Sequence, residues 1–99
     1  MSVLTFRDFA GALMGGDAAR ASEILSELLG VDGVAAEAAT STFSGRMAEG
    51  PAFVQKAMSM RGAVESKDAT ALAALIEECF GLSADAAKAS AETVLARYP

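Results

Sequence analysis

The single cysteine, Cys79, is the residue in this 99-residue chain best suited to covalent chemistry. A cysteine attacks or binds metal as a thiolate, and a neighbouring histidine is a common means of deprotonating it. The sequence contains no histidine, so the commonest general base and the commonest metal ligand are both missing. A lone cysteine can form neither an internal disulfide nor a thiolate metal site. Cys79 is therefore predicted to be a small buried hydrophobic residue.

Carboxylates are the remaining candidates for acid–base chemistry, which requires two of them to converge. The 13 acidic residues are mostly isolated along the chain, and Glu77-Glu78 is the only adjacent pair. Gly11 and Gly15-Gly16 lack the spacing of a phosphate-binding loop and are interpreted as helix punctuation. We therefore expect no catalytic site, no metal and no cofactor, and predict that the protein is not an enzyme.

The charge pattern narrows the choice of partners. The net charge is −5, and the eight basic residues are scattered from Arg7 to Arg97 instead of forming one face, so nucleic-acid binding is not expected. The longest mainly apolar stretch, residues 69–76, is too short to span a bilayer. No basic region followed by an apolar run opens the chain, so no signal peptide is predicted. We expect a cytoplasmic protein without a membrane partner.

Apolar spacing and helix punctuation predict an all-α fold, a compact bundle of about six short helices in a single domain spanning residues 1–99. The predicted helices run from about Thr5 to Met14, from an Asp17 cap to Gly30, from an Asp32 cap to about Met47, from Pro51 to Glu65, from Ser66 or Asp68 to Gly81, and onward from a Ser83 cap. The predicted inward-facing residues of the last helix are Ala84, Ala87, Ala91, Val94, Leu95 and Tyr98.

The second half of the chain resembles the first when shifted by about 51 residues. The shift superimposes capping aspartates, terminating glycines, threonines and arginines, namely Asp17 on Asp68, Gly30 on Gly81, Thr42 on Thr93 and Arg46 on Arg97. We interpret this as a tandem duplication of a three-helix unit, with repeat halves of about 1–49 and 50–99. The halves could face each other across a pseudo-twofold axis or stack in series as a short solenoid. Shared capping by chance remains the alternative.

The fourth helix has a second apolar flank beside the stripe that should face the core. The flank consists of Val54 and Met58 with Arg61 close by, and these three residues are the candidate protein-binding site. Methionine adapts to irregular partners, which suits a contact residue. The alternative is that neighbouring helices bury this flank as well.

Residues 40–42, Thr-Ser-Thr, are unusual in the middle of a helix because they compete for backbone hydrogen bonds. A bend or a polar contact surface would each explain them. We favour a close helix crossing, which Gly45 and the nearby alanines would permit.

These observations favour a non-catalytic protein–protein interaction module, acting as an adaptor, an assembly factor or a small subunit of a complex. Its partner would be another protein or a second copy of the chain. One alternative is a small phage-type or defence-related inhibitor or accessory protein. Another is an apolar-ligand carrier with its ligand between the repeats, although alanine-rich inner faces do not favour a large cavity.

Overall fold

The computed structural model describes residues 6–97 and confirms the predicted all-α fold. Its helices are α1 (Phe6–Met14), α2 (Ala18–Leu29), α3 (Gly33–Met47), α4 (Pro51–Glu65), α5 (Ala69–Phe80) and α6 (Ala84–Arg97), and residues 6–97 contain no strand. Over the same range, no helix combines the length and the apolar character needed to cross a membrane. The predicted start of the first helix at Thr5 and the predicted inward position of Tyr98 lie outside the described residues.

The helices begin at the predicted caps. The Asp17, Asp32 and Asp68 carboxylates each accept a hydrogen bond from the backbone N–H three residues further on, at 3.0, 2.7 and 3.1 Å. Ser83 does the same for α6 at 3.2 Å. Asp68, not Ser66, is therefore the N-cap of α5, and Ser66 is the C-cap of α4.

The helices also end at the predicted glycines. Gly30 and Gly81 follow α2 and α5 in the left-handed conformation, with φ of 69° and 70°. Glycine adopts this conformation without the steric cost that a Cβ would add. Gly50, with φ of 102°, precedes Pro51 at the first position of α4, so the backbone breaks between α3 and α4 where the sequence predicts it.

One hydrophobic core draws buried side chains from all six helices. Helix α2 buries five residues in this core, namely Ala21, Ile24, Leu25, Leu28 and Leu29. The prediction that Ala84 faces inward is wrong, because Ala84 opens α6 and is exposed. From Ala87 onward, α6 buries the predicted stripe, with Leu95 only partly covered.

All five phenylalanines of the chain lie in one cluster within this core, where residues of both halves meet. Phe43 is at its centre, with ring centroids 5.2 Å from those of Phe9, Phe53 and Phe80. Phe6 completes the cluster by stacking on Phe80 at 6.2 Å. Edge-to-face and stacked pairs at these distances are favourable beyond the area that they bury. The rings therefore occupy the part of the core where residues of both halves meet.

Contacts between the halves are reciprocal. Helix α3 packs on α5, and α2 packs on α6. The Arg46 guanidinium donates a hydrogen bond to the backbone carbonyl of Glu78, near the end of α5. Arg97 donates in the same way to the carbonyl of Glu27, near the end of α2. Each half thus gives the other the same contact that it receives.

A second pair of reciprocal contacts brings threonines against the terminating glycines. A Cβ at Gly81 would lie 3.2 Å from the Thr42 methyl, and a Cβ at Gly30 would lie 3.1 Å from the Thr93 methyl. The close approach predicted near residues 40–42 therefore exists. The suggestion that Gly45 permits it is wrong, because nothing lies within 4 Å of the position that its Cβ would take.

Reciprocal contacts are typical of an isologous interface, in which two equivalent units face each other across a twofold axis. A serial stack would instead pass each contact on to a next unit. Local geometry recurs as well, since Gly16 and Lys67 both have positive φ, at 80° and 55°, one residue before Asp17 and Asp68. The two halves therefore face each other, while their origin by tandem duplication stays a prediction.

Candidate functional site

Cys79 is fully buried in the core, as predicted. Burial raises the pKa of its thiol, because desolvation disfavours the thiolate. The nucleophilic form is therefore suppressed at neutral pH.

Among residues 6–97, no three cysteine, aspartate or glutamate side chains come together in a way that could hold a metal ion. The hydrogen bond from Lys56 lowers the pKa of Glu78, which is the opposite of the change that a general acid needs. Glu78 and Lys56 form an ion pair at the surface.

An open groove of about 460 Å³ lies between α2 and α3. Charged residues line much of it, namely Arg20, Glu23, Glu27 and Glu37. It is open to solvent and lacks the enclosed apolar walls of a typical small-molecule pocket. Periodicity within one helix does not reveal a groove between two helices, so the sequence analysis did not identify this one.

The predicted site residues lie together on the outward side of α4. Val54 is 39% exposed, Met58 is 70% exposed, and the Arg61 side chain is 87% exposed. Their spacing of four and three residues places them along one line of the helix. The alternative prediction, that neighbouring helices bury this flank, is therefore wrong.

Helix α4 faces the core with its opposite side, where Phe53, Met60 and Val64 are buried. Gly62 and Glu65 continue the outward line beyond Met58, and both are exposed. We call the set of Val54, Met58, Arg61, Gly62 and Glu65 the α4 face. It was not fully identified from the sequence, because Gly62 and Glu65 gave no apolar signal.

The α4 face combines apolar contact area with a balanced charge. Arg61 and Glu65 form an ion pair at 3.1 Å, so the face is neutral although the whole chain carries −5. Nothing lies within 4 Å of the position that a Cβ of Gly62 would take, so the helix surface at this glycine is open.

Among residues 6–97, two other large apolar residues are exposed, Met14 at 78% and Val34 at 79%. Each lies at a helix end, Met14 at the last residue of α1 and Val34 at the second residue of α3. Single exposed apolar side chains are ordinary on protein surfaces. Val54 and Met58 differ because they lie one turn apart on the same helix, and together they make a continuous apolar contact.

The chain matches no protein-family model, no curated protein and no solved structure. Function is therefore inferred from the geometry of the described residues, and the α4 face is the strongest candidate among them.

Proposed function

We propose that the protein is a non-catalytic protein–protein interaction module, acting as an adaptor, an assembly factor or a small subunit of a complex, and that it binds its partner through the α4 face. The observation that carries this proposal is the exposure of Met58 beside Val54 on the outward side of α4. Buried apolar side chains hold the inner side of the same helix on the core.

The α4 face has the composition of a small interface. Moving a fully exposed methionine or valine side chain out of water contributes about 1.5–3 kcal/mol. Met58, at 70% exposed, can gain most of this on binding, and Val54, at 39%, gains less. Arg61 can interact with a partner at the edge of these two side chains, and arginine is enriched at interfaces. The methionine side chain can adjust to the shape that it meets.

Position on a packed helix also favours binding. Phe53, Met60 and Val64 fix α4 against the core, so its outward side chains project from a backbone that is already ordered. Less conformational entropy is then lost on binding than if the same residues lay on a disordered segment.

The test is a comparison of Met58→Glu with Met14→Glu. Both changes place a carboxylate at a highly exposed methionine, but only Met58 belongs to the α4 face. We expect the wild type and Met14→Glu to retain the same bound proteins from a native lysate, measured by quantitative mass spectrometry, and Met58→Glu to lose at least one of them.

Circular dichroism and thermal melting of the three proteins provide the control, and all three should fold alike. If Met58→Glu retains every protein that Met14→Glu retains, α4 is not the binding surface and the proposal is wrong.

A further inference from the structure

The connection between the first half (α1–α3) and the second half (α4–α6) differs from the other connections of the described chain. Helices α3 and α4 follow each other in sequence, yet they pack less closely than any other consecutive pair of the described helices. Helix α3 packs on α2 and α5, and α4 packs on α5. The halves are therefore joined through their inner surfaces, with little packing at the connection itself.

Gly50 sets the direction of the chain at this connection. Its φ of 102° and ψ of −160° form a combination that is essentially restricted to glycine. Pro51 follows, and a residue with a side chain before a proline prefers extended backbone with negative φ. The N–H groups of Glu49 and Gly50 bond to the carbonyls of Arg46 and Met47, at 2.9 and 3.3 Å, so these hydrogen bonds are local to the end of α3.

The contacts between the halves do not require that both halves belong to one chain. Thr42 of the first half lies against Gly81 of the second, and Arg46 binds the carbonyl of Glu78. The reciprocal contacts at the α2–α6 pair repeat this arrangement in the opposite sense. Two chains that straighten at Gly50 can therefore re-form every one of these contacts with each other, which is the condition for exchanging identical elements.

The aromatic cluster makes exchange more favourable than an open single chain. Phe9 and Phe43 of the first half are buried against Phe53 and Phe80 of the second. Exposing these rings to water would cost about 25 cal/mol for each Å² of apolar surface. A chain that opens at the connection recovers this burial only by packing its halves on those of another copy.

We propose that Gly50 is a hinge that keeps the two halves of one chain together, and that straightening this hinge lets two copies exchange halves. The first half of each chain then packs on the second half of the other in a domain-swapped dimer. Exchange uses no contact of the α4 face, so it goes beyond the proposed function and can fail independently of it.

Gly50→Ala tests the hinge. The alanine Cβ strains the closed monomer, whereas the exchanged dimer allows extended backbone at this position in both of its chains. We expect the association constant, measured by sedimentation equilibrium after refolding from urea, to rise at least about tenfold over that of the wild type, because strain is relieved at two hinges in each dimer.

Gly16→Ala is the matched control. Gly16 also has positive φ, at 80°, and a Cβ at either glycine would meet nothing within 4 Å. Gly16 connects α1 with α2 inside the first half, so exchange of halves does not relieve its strain. Gly16→Ala should therefore lower the melting temperature and leave the association constant unchanged.

A disulfide between different chains distinguishes exchange from side-by-side association. A Cβ at Gly81 would lie 3.7 Å from the Cβ of Thr42, which suits a disulfide. One chain carries Thr42→Cys and the other Gly81→Cys, both in the Gly50→Ala background. Refolded together and mildly oxidised, they should give a covalent heterodimer on a non-reducing gel. The same mixture with the native Gly50 should give much less, and the buried Cys79 is common to both mixtures.

Equal association constants for Gly50→Ala and the wild type would overturn the hinge. A Gly50→Ala chain that stays unfolded at every concentration would also overturn it, because exchange predicts folding that increases with concentration. A dimer that forms no disulfide between chains would mean association without exchange, and the proposal would be wrong. Capture of proteins by Met58→Glu tests the α4 face separately, so failure of one proposal is distinguishable from failure of the other.

Discussion

The halves meet at two helix pairs, α3 with α5 and α2 with α6. The two pairs share the threonine–glycine and arginine–carbonyl contacts but differ in their core side chains. At the α3–α5 junction, Phe43 and Phe80 stack at 5.2 Å, and Arg46 lies 4.9 Å above the ring of Phe53. At the α2–α6 junction, the positions 51 residues away from Phe43 and Phe80 are held by Val94 and Leu29. We call the α3–α5 contact the aromatic junction and the α2–α6 contact the aliphatic junction.

The comparison separates what fixes geometry from what supplies stability. A glycine against a threonine methyl and an arginine bound to a helix-terminal carbonyl occur at both junctions. The core residues that differ are those whose size sets the buried area. We infer that glycine, threonine and arginine define how the halves approach, while the aromatic junction supplies more of the apolar stabilisation.

The largest difference is expected between Phe43→Ala and Val94→Ala. Both side chains are 6% exposed, so they differ in size and not in burial. Removing the phenylalanine should lower the free energy of unfolding by about 4 kcal/mol, because it leaves a cavity and breaks three ring contacts. Removing the valine should cost about 2 kcal/mol. Urea denaturation followed by circular dichroism measures both.

If Phe43→Ala is unfolded in water, Phe43→Leu keeps the comparison measurable with a smaller cavity. Equal losses at positions 43 and 94 would contradict the inference that the aromatic junction supplies more of the apolar stabilisation.

An intermediate effect is expected from Gly81→Ala and Gly30→Ala, and it should be the same at both junctions. Each substitution places a Cβ on left-handed backbone and within 3.1–3.2 Å of a threonine methyl. We expect a loss of about 2 kcal/mol from each, mostly from the backbone conformation. Urea denaturation of the two variants checks this.

Thr42→Ser in the Gly81→Ala background should recover part of the loss, because it removes the methyl that the new Cβ meets. Gly62→Ala, in open helical surface, should instead raise stability slightly. Unequal losses at Gly30 and Gly81 would show that the junctions differ in backbone as well as in side chains.

The sequence predicted the parts of the fold that depend on neighbours within one turn. The caps at Asp17 and Asp68 and the ends at Gly30 and Gly81 are of this kind, because the aspartate bonds an N–H three residues away and the glycine supplies its own backbone conformation. The approach of Thr42 to Gly81 joins residues far apart in the chain, which is why a local argument chose Gly45 instead.

The candidate site shows the same boundary between local and non-local information. Periodicity identified Val54 and Met58 as a second apolar flank of α4, and the structure places both on the surface. Whether neighbouring helices cover a flank depends on their packing, which the pattern of one helix does not contain.

A smaller effect is expected from Ser90→Ala at the aliphatic junction. Ser90 is buried in α6, and its hydroxyl has no hydrogen-bond partner among the described residues. The position 51 residues earlier, Ala39, is equally buried and already apolar. Removing an unsatisfied hydroxyl should raise the free energy of unfolding by about 1 kcal/mol. The reverse change, Ala39→Ser, should lower it, and urea denaturation of both distinguishes a real cost from a neutral hydroxyl.

The smallest effect is expected from pH, and it should be confined to the aromatic junction. The hydrogen bond from Lys56 lowers the pKa of Glu78, so the carboxylate is favoured in the folded chain. A lowered folded pKa means that the stabilisation is present above the ordinary glutamate pKa of 4.5 and is lost as the pH falls through the folded value. Glu78→Gln should therefore lower the melting temperature slightly at pH 7 and have less effect in acid.

Glu27→Gln is the matched change at the aliphatic junction. Glu27 occupies the position 51 residues before Glu78, but the residue 51 positions before Lys56 is the uncharged Thr5. As the pH is lowered into the acid range, the melting temperatures of the wild type and of Glu27→Gln should therefore fall at similar rates. The melting temperature of Glu78→Gln should fall more slowly. Because the ion pair is at the surface, added salt should reduce the difference between the variants. A difference that persists in high salt would mean that Glu78 acts through packing and not through its charge.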